Sequence, residues 1–312
     1  MTNYKIFDSS ISSTIPLHSL PKLAKCKSDV HVSVGSPVEQ SLIIDWIHDW
    51  VSAEGEATLR CGLIKTDTGA TRYILRFPGL ADFETDGVNL IARPKPRCAD
   101  YTLCHLLVDQ VLPRMWAHVG RLVVHASAVR MPNNRVCLFM GDSGDGKSTI
   151  VAALDKLGCQ ILADDCVELR SSSRGVLVIP SYRGLRLNPD SIAELGLQRY
   201  GWLPVAEDND KRQTRFFSVG GEGFYLDTLY ALKGSSSKLD ILIKPVAGVE
   251  RAAWLIRNSF ILNIKSASYA RQQMALIASL DEPGYSFNLL QFPMDYHSLP
   301  KLCETLIGRH GL

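Results

Sequence analysis

Several function classes have little to work with in these 312 residues. No apolar run approaches the roughly 20 residues that a bilayer-spanning helix needs; WLIRNSFILNI is short and carries Arg257. The opening MTNYKIFDSS lacks a basic region followed by an apolar one, so it does not read as a signal peptide. The formal charge is only +2, which leaves no global field to attract nucleic acid or an anionic membrane. Eight cysteines contain no C-x-x-C pair and no Cys/His cluster at zinc spacing, which argues against a metal site or a disulfide framework. Cys137 and Cys159 lie in apolar segments, where a free thiol packs as a small hydrophobe. There is no long linker, internal repeat or low-complexity tract. The expectation is a soluble, cytoplasmic protein with neither a nucleic acid nor a membrane as partner.

What is present is an ordinary globular composition, 46% hydrophobic and 21% charged, in a chain long enough for one large or two medium domains. The pattern changes near residue 92, with a boundary around 95–100. Before it come short strands with turns: TLRCGLIKT, TRYILRF and GLADFETDGVNLIAR, the last with a turn signal at Asp86-Gly87. After the polar break RPKPRCAD, the segment TLCHLLVDQVLPRMWAHVG carries apolar residues at helical spacing, with Pro113 expected to kink or divide it. The expected division is a β-rich module over residues 1–97 and a catalytic domain over 98–312. In the second part, RLVVHASAV reads as a strand, RVCLFM as another, KSTIVAALDKLG as a helix closed by Gly158, and QILADD as a strand ending in two acids. CVELR and VLVIP read as a hairpin across SSSRG. This is α/β order.

Gly141-Asp142-Ser143-Gly144-Asp145-Gly146-Lys147-Ser148, followed by Thr149, fits G-x-x-x-x-G-K-[ST] without a gap. The glycines let successive backbone N–H groups face one anion, and the helix start adds its positive dipole end there. Lys147 is the candidate for the β- and γ-phosphates, and Ser148 for Mg²⁺. Nucleotide binding follows. What happens to the nucleotide does not, because many chemistries share this loop. No guanine-reading N-K-x-D motif is present, and neither is the longer signature set of motor ATPases.

Asp164-Asp165 closes the strand after the helix, where a carboxylate would meet the metal. Two adjacent acids suggest one metal ligand and one proton acceptor. Neighbours on a flat strand face opposite ways, so both reach one site only if the strand bends or ends there. Otherwise one is catalytic and the other solvated or capping. Glu168 is a further metal contact or an exposed strand residue. His125 sits alone in an apolar strand, either as a core residue or as a site residue.

Taken together, HASAV, GDSGDGKST and LGCQILADDCVEL resemble the C-terminal catalytic domain of the HPr kinase/phosphorylase family over roughly residues 120–185. Later segments, YRGLRLNPDSIAEL through LYALKG to LIRNSF, look more like HPr-kinase-like relatives, some of which phosphorylate lasso-peptide precursors. The resemblance implies an α/β phosphate-loop kinase domain shared with phosphoenolpyruvate carboxykinases, ATP and Mg²⁺, and transfer to a serine or threonine hydroxyl of a protein or peptide. It makes His125 the active-site histidine, Lys147 the phosphate lysine, Ser148 a metal ligand, and Asp164 and Asp165 the metal/base pair, with Asp165 favoured as base. A homo-oligomer would be in keeping with it. The segment that accompanies phosphorolysis in the bifunctional enzymes carries a glutamate; here the chain reads YRGLRLNPDS, which weakens the case for phosphorylase activity and for HPr as substrate. Arg183 and Arg186 are candidate phosphate contacts or surface residues. Lys211 and Arg212 belong to a candidate loop over the γ-phosphate or to a solvated charged loop. A small-molecule kinase and a nucleotide-sensing regulatory module are the alternatives.

Overall fold

The computed structural model describes residues 1–38, 42–52, 54–66, 69–207, 209–215, 223–235, 240–281 and 284–310. Its architecture is mixed α/β, as the element order leads one to expect. Strands between Thr2 and Pro94 build a nine-stranded sheet in which the hairpin strands Ala57–Lys65, Thr71–Phe77, Ala81–Thr85 and Asn89–Pro94 lie side by side. Alternation of apolar residues puts Leu75, Phe83, Leu90 and Ala92 on a fully buried face. That face packs on the following helical segment, and the same core runs on to Cys166, Ile179, Tyr182 and Phe260. Each large side chain withdrawn from water there contributes about 1.5–3 kcal/mol. The core is thus continuous across residue 97. A charged seam reinforces the join: Glu168, buried, pairs with Arg121 and Arg170, and both arginines also reach Asp8.

A six-stranded sheet carries the rest in the order Gln160–Ala163, Ala126–Arg130, Val136–Met140, Thr228–Ser235, Ser286–Pro293, Leu242–Pro245. Val136–Met140 is buried at every position, which explains its unbroken apolar run. The helix Lys147–Lys156 buries Ile150, Val151 and Leu154 against a cluster that includes Leu302 and Leu306 of the C-terminal helix. It ends as expected: Gly158 has φ +89°, its N–H donates to Asp155 O, and the Cys159 N–H donates to Leu154 O. Residues 167–172 and 175–180 form the expected hairpin in a separate four-stranded sheet. Among the described residues no helix is long and apolar enough to cross a membrane.

One expected element is revised. The run 121–129 is not one strand: Leu122–Val124 pairs with Val167–Leu169 in one sheet, and Ala126–Arg130 pairs with Val136–Met140 in another. His125 is the break, because its N–H donates to Asn258 O rather than to a strand neighbour. The helix after residue 99 starts at Asp100 and is divided next to Pro113 by a change of helix type: Leu106–Val111 widens into a π-helical turn before α-helix resumes at Leu112–His118. The proline cannot supply the N–H of a regular ladder, and a π turn absorbs that loss within the helix.

Candidate active site

Strand direction explains why three sequence-distant signals meet. Val136–Met140 and Gln160–Ala163 each pair antiparallel with the strand between them, Ala126–Arg130, so they run the same way. The loop after residue 140 and the acids after residue 163 therefore leave the same edge of the sheet. The intervening strand runs the other way and begins at that edge, which sets His125 beside them. The Ala126 N–H donates to Asp165 O.

The loop is built by local geometry. Gly146, the residue before the helix, has φ +83°, a left-handed conformation that costs an L-residue about 1–2 kcal/mol. The Asp142 N–H donates to Asp145 Oδ2 at 2.7 Å, and Asp142 also pairs with Arg257 across the cleft mouth. Lys147 is buried and folds over the loop, its Nζ donating to Gly141 O at 2.7 Å and Asp142 O at 2.8 Å. Burial depresses its pKa, against the pull of Asp165 and Asp164. The Thr149 hydroxyl faces Ser191 Oγ at 3.3 Å rather than Asp164.

The two acids serve one region because the strand ends at Ala163 and Asp165 takes φ +88°. Their surroundings differ. Asp164 Oδ1 accepts from Ser127 Oγ at 2.6 Å and Ser148 Oγ at 2.9 Å, and Oδ2 from the Arg186 N–H at 2.9 Å. No cationic side chain pairs with it among the described residues. Burial, and then the charge of Asp165, push its carboxyl up to about 6. This is a hard oxygen site with its negative charge uncompensated, next to a phosphate loop. It suits Mg²⁺, which takes one or two carboxylates and completes its shell with phosphate and water. Burial works against ionisation of Asp165, but its pairing with the Arg186 guanidinium, with Lys211 behind it, outweighs burial and holds the carboxyl below the usual range. It is ionised at neutral pH.

His125 Nδ1 lies 2.8 Å from Asp165 O, a carbonyl that can only accept, so Nδ1 carries the hydrogen and Nε2 keeps its lone pair. Burial lowers the pKa of the ring, which keeps it neutral.

Arg186 is a buried hub, pairing also with Asp109, whose other oxygen accepts from Tyr182 OH at 2.8 Å. His105 Nδ1 lies 3.0 Å from Asp109. Asp109, His105 and Tyr182 were not singled out from sequence. The available signal was one acid between Val108 and Val111 on an apolar helix, a residue type seldom buried without a partner. Arg183 is elsewhere, its Nε donating to Ile161 O at 2.7 Å. Lys211 lines the cleft, while Arg212 turns back onto the carbonyls of Asp210 and Lys211. Glu168 belongs to the seam with Arg121 and Arg170 described above.

Three spaces adjoin the loop among the described residues, one of about 180 Å³ lying over Ser143, Lys147 and Ser148 and reaching His125, Asp165 and Arg186. A cleft of about 640 Å³ is lined by Asp165, His125, Arg186, Lys211, Arg114 and Trp50, among others. On the loop's other face a cavity of about 300 Å³ lies between Gly144, Gly146 and Thr149 and the side chains of Phe292, Met294 and Tyr296.

No family model matches the sequence, and no curated protein does. Among solved structures, the Hpr(Ser) kinase/phosphatase from Coxiella burnetii is similar at 15% identity and a TM-score of 0.31, over 60% of this chain and 95% of that one.

Proposed function

We propose that the protein is an ATP- and Mg²⁺-dependent phosphotransferase that moves the γ-phosphate to a hydroxyl, in the leading reading a serine or threonine of a protein or peptide. The observation that carries this is the convergence, at one sheet edge, of a phosphate loop, an uncompensated metal-type carboxylate and an ionised second carboxylate facing a cleft. A pure nucleotide sensor needs the first two and has no use for the third.

The loop N–H groups and Lys147 would hold the phosphates, with the base and ribose directed into the Phe292–Met294–Tyr296 cavity. Ser148 and Asp164 would hold Mg²⁺, which would supply positive charge to the phosphates. The acceptor oxygen forms its bond to the γ-phosphorus as the bond from that phosphorus to the β–γ bridging oxygen breaks, and ADP leaves. The hydroxyl proton passes to Asp165. Its low proton affinity makes it a weak base, adequate where positioning and charge stabilisation supply most of the rate. His125 Nε2, a neutral acceptor in the same cleft, helps to orient the hydroxyl. A second reading, a metabolite kinase, is favoured by the cleft volume, which falls in the range of small-molecule sites.

The test uses γ-labelled ATP, Mg²⁺ and the purified protein in lysate from its source, beside Asp165→Asn. Label in a polypeptide that disappears with the variant supports the leading reading, and label confined to a metabolite supports the second. Bound ATP with no labelled acceptor in either fraction would leave a sensor.

A further inference from the structure

Most cations of the cleft have an electrostatic partner, and Lys211 acts on Asp165. Arg186 pairs with Asp109 and Asp165, Arg257 pairs with Asp142, and Lys147 donates to two loop carbonyls. Arg114 is different. It stands one residue after Pro113, where the π turn gives way to α-helix, and it lines the cleft. Its Nη1 donates only to its own helix, to Gln110 O at 2.8 Å and Gln110 Oε1 at 3.0 Å. Its Nε is buried without an acceptor. Among the described residues no carboxylate pairs with it, and Nη2 has no acceptor.

The guanidinium is nevertheless held in place. Its central carbon lies 5.1 Å from the Trp50 ring centroid and 5.3 Å from that of Phe260. Two aromatic faces hold the guanidinium and contribute cation–π attraction. Burial pushes its pKa down to about 10, which leaves it charged at neutral pH. A desolvated cation without a counter-ion is costly unless something else supplies the charge. A positioned planar fork of donors matches the two oxygens of a carboxylate or phosphate.

We propose that Arg114 anchors an anionic group, a carboxylate or a phosphate, on the acceptor molecule that enters this cleft. The assignment of that anion to the acceptor rests on the phosphotransferase reading; the anion site itself does not. It also gives the nine-stranded sheet a part in the site, since Trp50 comes from its edge strand Asp45–Val51 and forms one wall around the guanidinium. A hydroxyl compound lacking an anionic group would then be a poor acceptor, because it would leave Arg114 unpaired in the bound complex.

The experiment is isothermal titration of the full chain with inorganic phosphate, acetate and, as the uncharged control, acetamide. It is run on protein saturated with Mg²⁺ and a non-hydrolysable ATP analogue, so that the phosphate loop is filled, and again on Lys147→Ala without nucleotide. Arg114→Gln and Arg114→Lys are compared in both settings after their unfolding midpoints are matched to the parent. The expected result is one site for phosphate, acetate or both, none for acetamide, weakened at least tenfold by Arg114→Gln and partly restored by Arg114→Lys. Binding of phosphate alone or acetate alone identifies which anion the acceptor carries. Absence of anion binding in the parent, or equal binding by Arg114→Gln, overturns the proposal. If the analogue fails to bind, the phosphotransferase reading falls, while the Lys147→Ala arm still decides the anion site.

Discussion

The two walls of the site hold charge by opposite means. On the loop wall, Asp164 is surrounded by hydroxyls and one backbone N–H, with no cationic partner, and its charge is left uncompensated. On the other wall, Asp165 and Asp109 share one guanidinium, which offsets part of their charge. Adjacent residues thus end up as different chemical species, one carboxyl raised towards neutrality and the other held ionised. The difference teaches what each wall awaits. The first is incomplete without a cation, whereas the second is a finished scaffold that presents a fixed anion to whatever enters.

The sharpest way to break that contrast is Asp165→Asn, which keeps the shape and removes the anion. Turnover of labelled ATP is expected to fall by about 10²–10⁴-fold, with nucleotide affinity within about threefold of the parent; unchanged turnover would remove Asp165 from the role of base. Next in size is Asp109→Ala, which strips the buried guanidinium of one partner. Urea unfolding should register a loss of roughly 3–5 kcal/mol, and a loss below about 1 kcal/mol would mean that the pairing is incidental.

Asp164→Asn probes the other wall in the opposite direction. With a folded-state pKa near 6 against 3.8 for the free group, the native protein holds that proton more tightly than the unfolded chain. Its metal-free stability should therefore fall as pH rises from about 4 to about 6 and level off above that. Replacing the acid removes this fall, so metal-free Asp164→Asn is expected to be more stable than the parent at pH 7 by about 2–3 kcal/mol. The check is the difference in unfolding free energy between parent and variant at pH 4 and pH 7. A difference independent of pH would show that burial does not strain Asp164. The smallest effect belongs outside the cleft: Arg170→Ala, from the half-exposed seam with Asp8, should cost under about 1 kcal/mol by the same unfolding measurement. A larger loss would make that seam a principal tie between the nine-stranded sheet and the rest.

Much of the loop wall could be read directly from the chain. Gly141 to Ser148, the Gly158 helix stop and the acids after QILA are contiguous, and local backbone preference dictates their shapes. The other wall could not. Arg186 stood as a phosphate contact or surface residue until the fold brought it to Asp109 and Asp165, and Arg183, three residues earlier, went to a strand carbonyl instead. His125 looked like mid-strand, and only the competing acceptor Asn258 O, far along the chain, made it a break between sheets.

By itself the amino-acid sequence determined the α/β order, the phosphate loop, and the candidate metal and proton-accepting acids, because each depends on residues a few positions apart. The tertiary structure alone decided which acid is paired with an arginine, which arginine pairs with it, and that Trp50 shares a cleft with the loop. Those properties come from burial and from partners separated by tens of residues, and no local pattern encodes a distance that only packing sets.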